Sequence, residues 1–309
     1  MSHFKNILVV ADPTVDDQKA LSRALELKAK HPAKVTLFLS FYDFSYEMTT
    51  MLSNDERVSM KNAVIEDRKE WLKVLIKNSG ADIDKIDTKV VWHNRPYESI
   101  IREVINKNYD LVIKGTHAHD VLKSVIFTPT DWHLLRKCPC SVLLVKEHDW
   151  PEHGKVLAAV SAGTDDEFHG ELNNEIITHA SIMARLLNSE THLINAFPPT
   201  PMNIAVEIPE FDPTEYNSNM KHYHQNCLTE LAEEFEINVN NTHLAEGMPE
   251  DVIPRKAKEL DAELVVMGTI GRNGISAALI GNTAEHVIDN IDCDLLALKP
   301  PGFKSPVKA

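Results

Sequence analysis

The chain has 309 residues, 43% hydrophobic and 25% charged, with a formal net charge of −14 at pH 7, a composition typical of a globular protein of about two domains. An acidic surface of this kind repels nucleic acid backbones and anionic membranes, and Lys and Arg are scattered without forming a basic patch, so neither partner is expected. No apolar run approaches the length of a membrane span, and MSHFKNILVV leads straight into a strand-like run without a secretory-leader pattern, which predicts a cytoplasmic protein.

In chain order, strand and helix signals alternate. NILVVA (6–11) is an apolar run, and DDQKALSRALEL (16–27) carries a helical stripe at Leu21, Ala24 and Leu25. KVTLFLSF (34–41) is β-rich. Ser53 and Glu56 have capping-box spacing before a long helical stretch that ends near Gly80. DTKVVWH (87–93), YDLVIKG (109–115) and SVLLVK (141–146) read as strands, and YESIIREVINK (97–107) and DWHLLRK (131–137) as helices. The remainder repeats the same plan, with Asp212, Pro213 and Glu215 opening its own long helix.

The likeness between the halves extends to residue register. Gly115 matches Gly268, Thr116 matches Thr269, Thr130 matches Thr283, His133 matches His286, Cys140 matches Cys293 and Lys146 matches Lys299, at a constant spacing of 153 residues. Pro96 and Pro249 keep that spacing, whereas NILVVAD (6–12) and KVLAAVS (155–161) lie 149 apart. The chain is a duplicated unit with a seam at EHDWPEHG (147–154), giving domains at 1–147 and 154–309. Alternating strands and helices predict parallel strands with helical crossovers. The fold class is therefore α/β: two tandem, doubly wound, five-stranded parallel sheets. Ligands of such sheets sit beyond the carboxyl ends of the strands. Asp12, Gly115, Thr116, His117, Thr128 and Thr130 are placed there in the first half, and Ser161 and the loop from Gly268 in the second.

That loop, GTIGRNGISAALIGNTA (268–284), comes after a buried-strand run and precedes an amphipathic stretch. Glycines let backbone N–H groups approach an anion, and a helix N-terminus adds positive potential. Gly268, Thr269, Gly271, Arg272, Gly274, Gly281, Asn282 and Thr283 are the candidate anion ligands. The alternative is a plain turn with Asn282 and Glu285 as a capping box. The first half has Ala118, Val121 and Thr128 in place of Gly271, Gly274 and Gly281. Pro129 there removes a donor, and Asp131 replaces Ala284, so no nucleotide phosphate is expected.

The loop resembles the Gly-x2-Gly-x9-Gly-Ser/Thr phosphate loop of universal stress proteins, with Gly268, Gly271 and Gly281 in place and Asn282 where Ser or Thr is usual. GMP (247–249) before a helix and a Cys before the last β-run fit the same family, and the likeness covers nearly the whole chain twice. It implies a Rossmann-like strand order 3-2-1-4-5, pairing through the last strand as an internal pseudo-dimer, and a further homodimer of tandem chains. It also implies a role in survival under starvation, oxidants and DNA damage, with weak or absent catalysis. Members that bind ATP carry an Asp at the end of strand one. Here Asp12 stands beside the degenerate loop and Ser161 beside the retained one.

The expected activity is small-ligand sensing without a required cofactor, the ligand being ATP or another anionic molecule held in the second half. The apolar stretches FYDFSYEMTTML (41–52) and FPPTPMNIAVEIP (197–209) suit either packing or an amphipathic ligand, such as an acyl chain with a phosphate or sugar head. An interaction module with a vestigial site and a weak ATP hydrolase are the alternatives. No catalytic motif is evident. His93, His117, His119, Asp120 and His133 fix no metal-ligand spacing, so no metal is expected. Cys138 and Cys140, in Cys-Pro-Cys, read either as a metal or redox pair or, like Cys293, as small residues at a strand start.

Overall fold

The computed structural model describes residues 4–46, 48, 52–118, 125–126, 128–146, 150–163, 167–201, 208, 211–269 and 282–308. It divides into two compact units, Met1–Lys146 with Lys304–Ala309, and Glu147–Phe303. The final residues group with the first unit instead of closing the second. The seam belongs to the second unit: Trp150 is buried and the His153 N–H donates to the Asn188 carbonyl.

In the first unit, β1 (Asn6–Val10), β2 (Lys34–Phe41), β3 (Ile86–Trp92), β4 (Leu111–Gly115) and β7 (Ser141–Val145) form one parallel sheet. Pairings β3 with β2, β2 with β1, β1 with β4, and β4 with β7 give the order 3-2-1-4-5 that the family resemblance implies. Helices α1 (Lys19–Lys30), α2 (Asn54–Asn78), α3 (Pro96–Lys107) and α4 (Pro129–Lys137) make the crossovers. An addition the sequence did not signal is the antiparallel pair β5 (His117–Ala118) and β6 (Val125–Ile126), so His117 sits in a short ladder and not on an open loop.

The second unit repeats the plan. Strands β8 (Lys155–Val160), β9 (Glu190–Phe197), β10 (Thr242–Glu246), β11 (Leu264–Gly268) and β12 (Asp294–Leu298) pair in the same order and direction. Its helices are α5 (Glu167–Leu187), α6 (Pro213–Glu234), α7 (Pro249–Leu260) and α8 (Asn282–Asn290).

Sheets covered by helices on both faces need strands that are apolar throughout, which is why Leu8, Val112 and Leu143, or Leu157, Val265 and Leu296, are buried beside neighbours that are buried too. The duplication holds at the level of backbone conformation. Pro96 and Pro249 each open a helix at its first position, and Asn108 (φ 51°) and Asp261 (φ 52°) end those helices in the left-handed region. The Ser53–Glu56 capping box forms as expected, and the Asp212 carboxylate accepts from the N–H groups of Thr214 and Glu215.

On β9 and β10 of the second unit, His192 Nδ1 lies 3.1 Å from His243 Nε2, with Glu190, Lys155, Lys256 and Glu259 as the charged groups around them. Burial holds both imidazoles below the usual histidine range, His243 at about 4. On acidification the unfolded chain takes up these protons first, so the pair makes stability fall as pH drops from about 6.5 to about 4. His243→Gln, which keeps a polar partner for His192, is expected to flatten that part of the pH profile of the urea midpoint.

Candidate functional site

Each crevice begins where the first strand of its unit stops. In the first unit the Asp12 N–H donates to Gln18 Oε1 at 3.0 Å, and Gln18 Nε2 donates to the Asp12 carbonyl at 2.7 Å. In the second unit the Ser161 N–H donates to Asn173 Oδ1 at 2.9 Å, and Asn173 Nδ2 donates to the Ser161 carbonyl at 3.0 Å. One side-chain amide thus satisfies both polar groups of the strand-end residue, as buried backbone requires. The amide is supplied by a glutamine at the start of α1 in one copy and by an asparagine within α5 in the other.

Beyond Ser161, the second unit adds a buried network. The Ala162 N–H donates to Asn195 Oδ1 at 3.1 Å, and the Ala162 carbonyl accepts from His224 Nδ1 at 2.9 Å. The His224 ring stacks on Phe197 at 5.7 Å. Gly163 has φ +79°, and a Cβ there would lie 2.8 Å from His224 Nδ1 and 2.9 Å from Tyr223 Cε1, so only glycine fits. In the first unit the Arg68 guanidinium lies 5.9 Å from the ring centre of Phe41, at the end of β2. Around them Phe41, Tyr42 and Tyr46 meet Trp92 edge-on, so the apolar stretch after β2 packs against the end of β3.

The fourth strands lead into the loops. In both units a threonine hydroxyl donates to a fifth-strand carbonyl: Thr116 to Val145 at 3.0 Å and Thr269 to Leu298 at 3.2 Å. Beyond this point the two copies differ in charge. In the first, Lys114 Nζ is 2.8 Å from the Asp131 carboxylate, whose side chain is fully buried. The other Asp131 oxygen accepts from the Thr128 N–H and hydroxyl, closing a capping box at the start of α4. A carboxylate of the chain itself therefore sits at the helix N-terminus, where an external anion would otherwise bind. Asp131 does more than repel phosphate, the role expected of it from sequence, since it is neutralised in place by Lys114. Thr130 is half-buried beside it.

The second unit has Met267 and Ala284 at the matching positions. Lys299, the match of Lys146, donates from Nζ to Thr269 Oγ1 at 2.7 Å and lies 5.1 Å from the Phe303 ring centre. Gly268 is closely packed: a Cβ would come within 2.6 Å of a terminal methyl of Leu172 on α5, whereas one on Gly115 would meet nothing within 4 Å. Gly271, Arg272, Gly274 and Gly281 lie outside the described residues. Asn282 and Thr283 form the first turn of α8. The side chains of Asn282 and Thr283, and with them the alternative Asn282–Glu285 capping box, lie outside the described residues. His119 and Asp120 are likewise outside the described residues, and among those described no group of three His, Cys, Asp or Glu side chains is placed to hold a metal. Sequence reasoning missed Lys299, Asn173, Asn195, His224 and Leu172 as site-building residues. Only Lys299 left a signal, its match with Lys146 in the repeat.

Two tandem doubly wound α/β units, each with a crevice at the switch point between its first and fourth strands, define the class. Residues 3–146 and 162–299 both match the universal stress protein family, and the chain belongs to it. It is 50% identical over 312 residues to universal stress protein E of Escherichia coli K12, covering 100% of this chain and 98% of that one. It is 42% identical to the homolog of that protein in Haemophilus influenzae, covering 96% and 98%. Among solved structures, a putative universal stress protein from Pseudomonas aeruginosa aligns with a TM-score of 0.72 at 31% identity, covering 97% of this chain and 94% of that one. One from Archaeoglobus fulgidus aligns at 0.62 and 16% identity, covering 95% and 98%, a likeness of fold. These relatives support a role in the stress response. Among the described residues no helix is long and apolar enough to cross a membrane.

Removing one partner of the buried pair leaves the other charged and unsolvated, so Asp131→Ala is expected to cost about 3–5 kcal/mol in urea unfolding. Adding Lys114→Met, which installs the second unit's residues at both positions, should recover most of that loss. Gly163→Ala is expected to destabilise the second unit by more than about 1 kcal/mol, with protection from amide exchange lost at the ends of β8 and β9.

Proposed function

We propose that this chain is a ligand-sensing stress protein whose second unit holds an anionic, phosphate-bearing molecule at the carboxyl end of β11, without strong catalysis. The observation that carries this reading is the Lys299–Thr269 hydrogen bond, which places a cation at the start of the glycine-rich loop in a chain of net charge −14. The first unit differs at the helix N-terminus, which Asp131 takes with Lys114 as its partner, whereas a lysine just past the fifth strand is common to both units, as Lys146 and Lys299. With Ser161 where nucleotide-binding members carry Asp, the reading favours the phosphate end of a ligand over tight adenosine recognition, so ATP is one candidate among phosphate-bearing molecules. The protein acts in the cytoplasm, as a homodimer of tandem chains, in survival under starvation, oxidative or DNA-damaging stress.

The test is native mass spectrometry of the freshly purified chain, then thermal unfolding with inorganic phosphate and with ATP. The expected result is one phosphate-bearing ligand per chain, absent from Lys299→Met, and a midpoint that rises with ligand as RT ln(1 + [L]/Kd), about 2.7 kcal/mol at a hundredfold excess over Kd. An empty protein that responds to neither compound at millimolar concentration overturns the reading and favours an interaction module. Steady phosphate release from ATP, lost in Lys299→Met, would make it a hydrolase. Gly268 is not the residue to mutate here, since its replacement collides with Leu172 whether or not a ligand binds.

A further inference from the structure

The Cys-Pro-Cys step between α4 and β7 plays no part in either crevice, and the structure gives it a geometry of its own. Cys138 Sγ and Cys140 Sγ are 3.6 Å apart, in van der Waals contact. Cys138 ends α4, its N–H donating to the Leu134 carbonyl at 2.9 Å, and is buried. Cys140 is half-buried at the entrance to β7, whose first residue, Ser141, pairs with Leu111 of β4. The two sulfurs bridge a helix end and a strand start that are already fixed by hydrogen bonds, and closing the gap to a covalent S–S distance takes about 1.6 Å. The second unit has no such pair: Cys293 matches Cys140, but Ile291 stands where Cys138 would be. Cys227, on α6, is a half-exposed cysteine far along the chain from either.

We propose that Cys138 and Cys140 are an oxidation site, closed by peroxide into a reversible disulfide that staples the end of α4 to the start of β7. Cys140, on the less buried of the two residues, attacks one peroxide oxygen. The O–O bond breaks, one water leaves and Cys140 becomes a sulfenic acid. Cys138 then displaces the sulfenic oxygen, the S–S bond forms and a second water leaves. Two thiols are oxidised, one peroxide is reduced, and a dithiol reductant reverses the change. In a reducing compartment such a bond is transient and reports on oxidant. The hydrogen bond with Cys138, together with burial, pushes the Cys140 thiol up from its ordinary value. Little thiolate is then present at neutral pH, so the bridge closes slowly there and faster as the pH is raised.

The experiment is peroxide treatment of the full-length chain at pH 7.5 and pH 9, alkylation under denaturing conditions, and mass mapping of the cysteine peptides. The expected product is a peptide spanning Cys138 and Cys140 that is about 2 Da lighter than its dithiol form, resists alkylation and regains two alkylation sites after dithiothreitol. It should appear several-fold faster at pH 9, while Cys293 stays alkylatable. Cys138→Ser should divert Cys140 to sulfenic or sulfinic acid. The wild-type map needs no variant to fold, so it decides alone. Two alkylated thiols after peroxide overturn the proposal, as does a sulfinic acid on Cys140 with Cys138 untouched, or a bridge from either cysteine to Cys227.

Discussion

Both crevices depend on how the first strand of each sheet is allowed to stop. A parallel strand that ends beneath helices leaves an N–H and a carbonyl with no ladder partner, and water is excluded there. A side-chain amide is suited to this demand because it presents one donor and one acceptor on a planar group. Gln18 and Asn173 perform that task in the two units, on the residues that correspond in the repeat, Asp12 and Ser161. The interaction has been kept while the residue supplying it has changed in type and position. The backbone leading into each crevice is therefore set by the protein itself, before any ligand is considered.

On that common frame the two copies have separated electrostatically. The first places a buried lysine and a buried carboxylate side by side and uses the carboxylate as a helix cap, so the charge at that helix N-terminus is balanced within the chain. The second has apolar residues at both positions, Met267 and Ala284, while both copies keep a lysine just past the fifth strand, Lys146 and Lys299. A buried ion pair adds little net stability over an apolar pair, but losing one member of it is costly. This makes the first unit's arrangement hard to leave by single substitutions, and the second unit the one free to respond to its surroundings.

Much of this architecture was legible in the sequence because its causes are local. Continuous apolar runs mark strands buried on both faces, Pro96 and Pro249 mark helix starts, and the Ser53–Glu56 box lies within one turn. The repeat, at 153 residues over the later part of each half and 149 at the first strands, then carried the strand and helix plan from one half to the other. The features that escaped were non-local. The Gln18 and Asn173 clamps break the repeat register. Lys299 reaches Thr269 across 30 residues, and His224 reaches Ala162 across 62. Asp131 was noticed, but as an obstacle to phosphate, because its partner Lys114 lies on another element and adjacency in sequence does not reveal it.

Glycine at position 268 can be demanded by a ligand or by packing, and the packing demand is present on its own. Leu172 of α5 occupies the space a side chain would need, so any larger residue there has to displace that leucine from the fit of a helix on a strand end. That constraint persists in any descendant that keeps α5 where it is, whether or not its crevice still receives a ligand. In the second unit, then, the first glycine of the loop answers to the scaffold, whereas Gly115 in the first has no neighbour within 4 Å to demand it. A working binding site has to be recognised from positions whose identity nothing but a ligand would preserve.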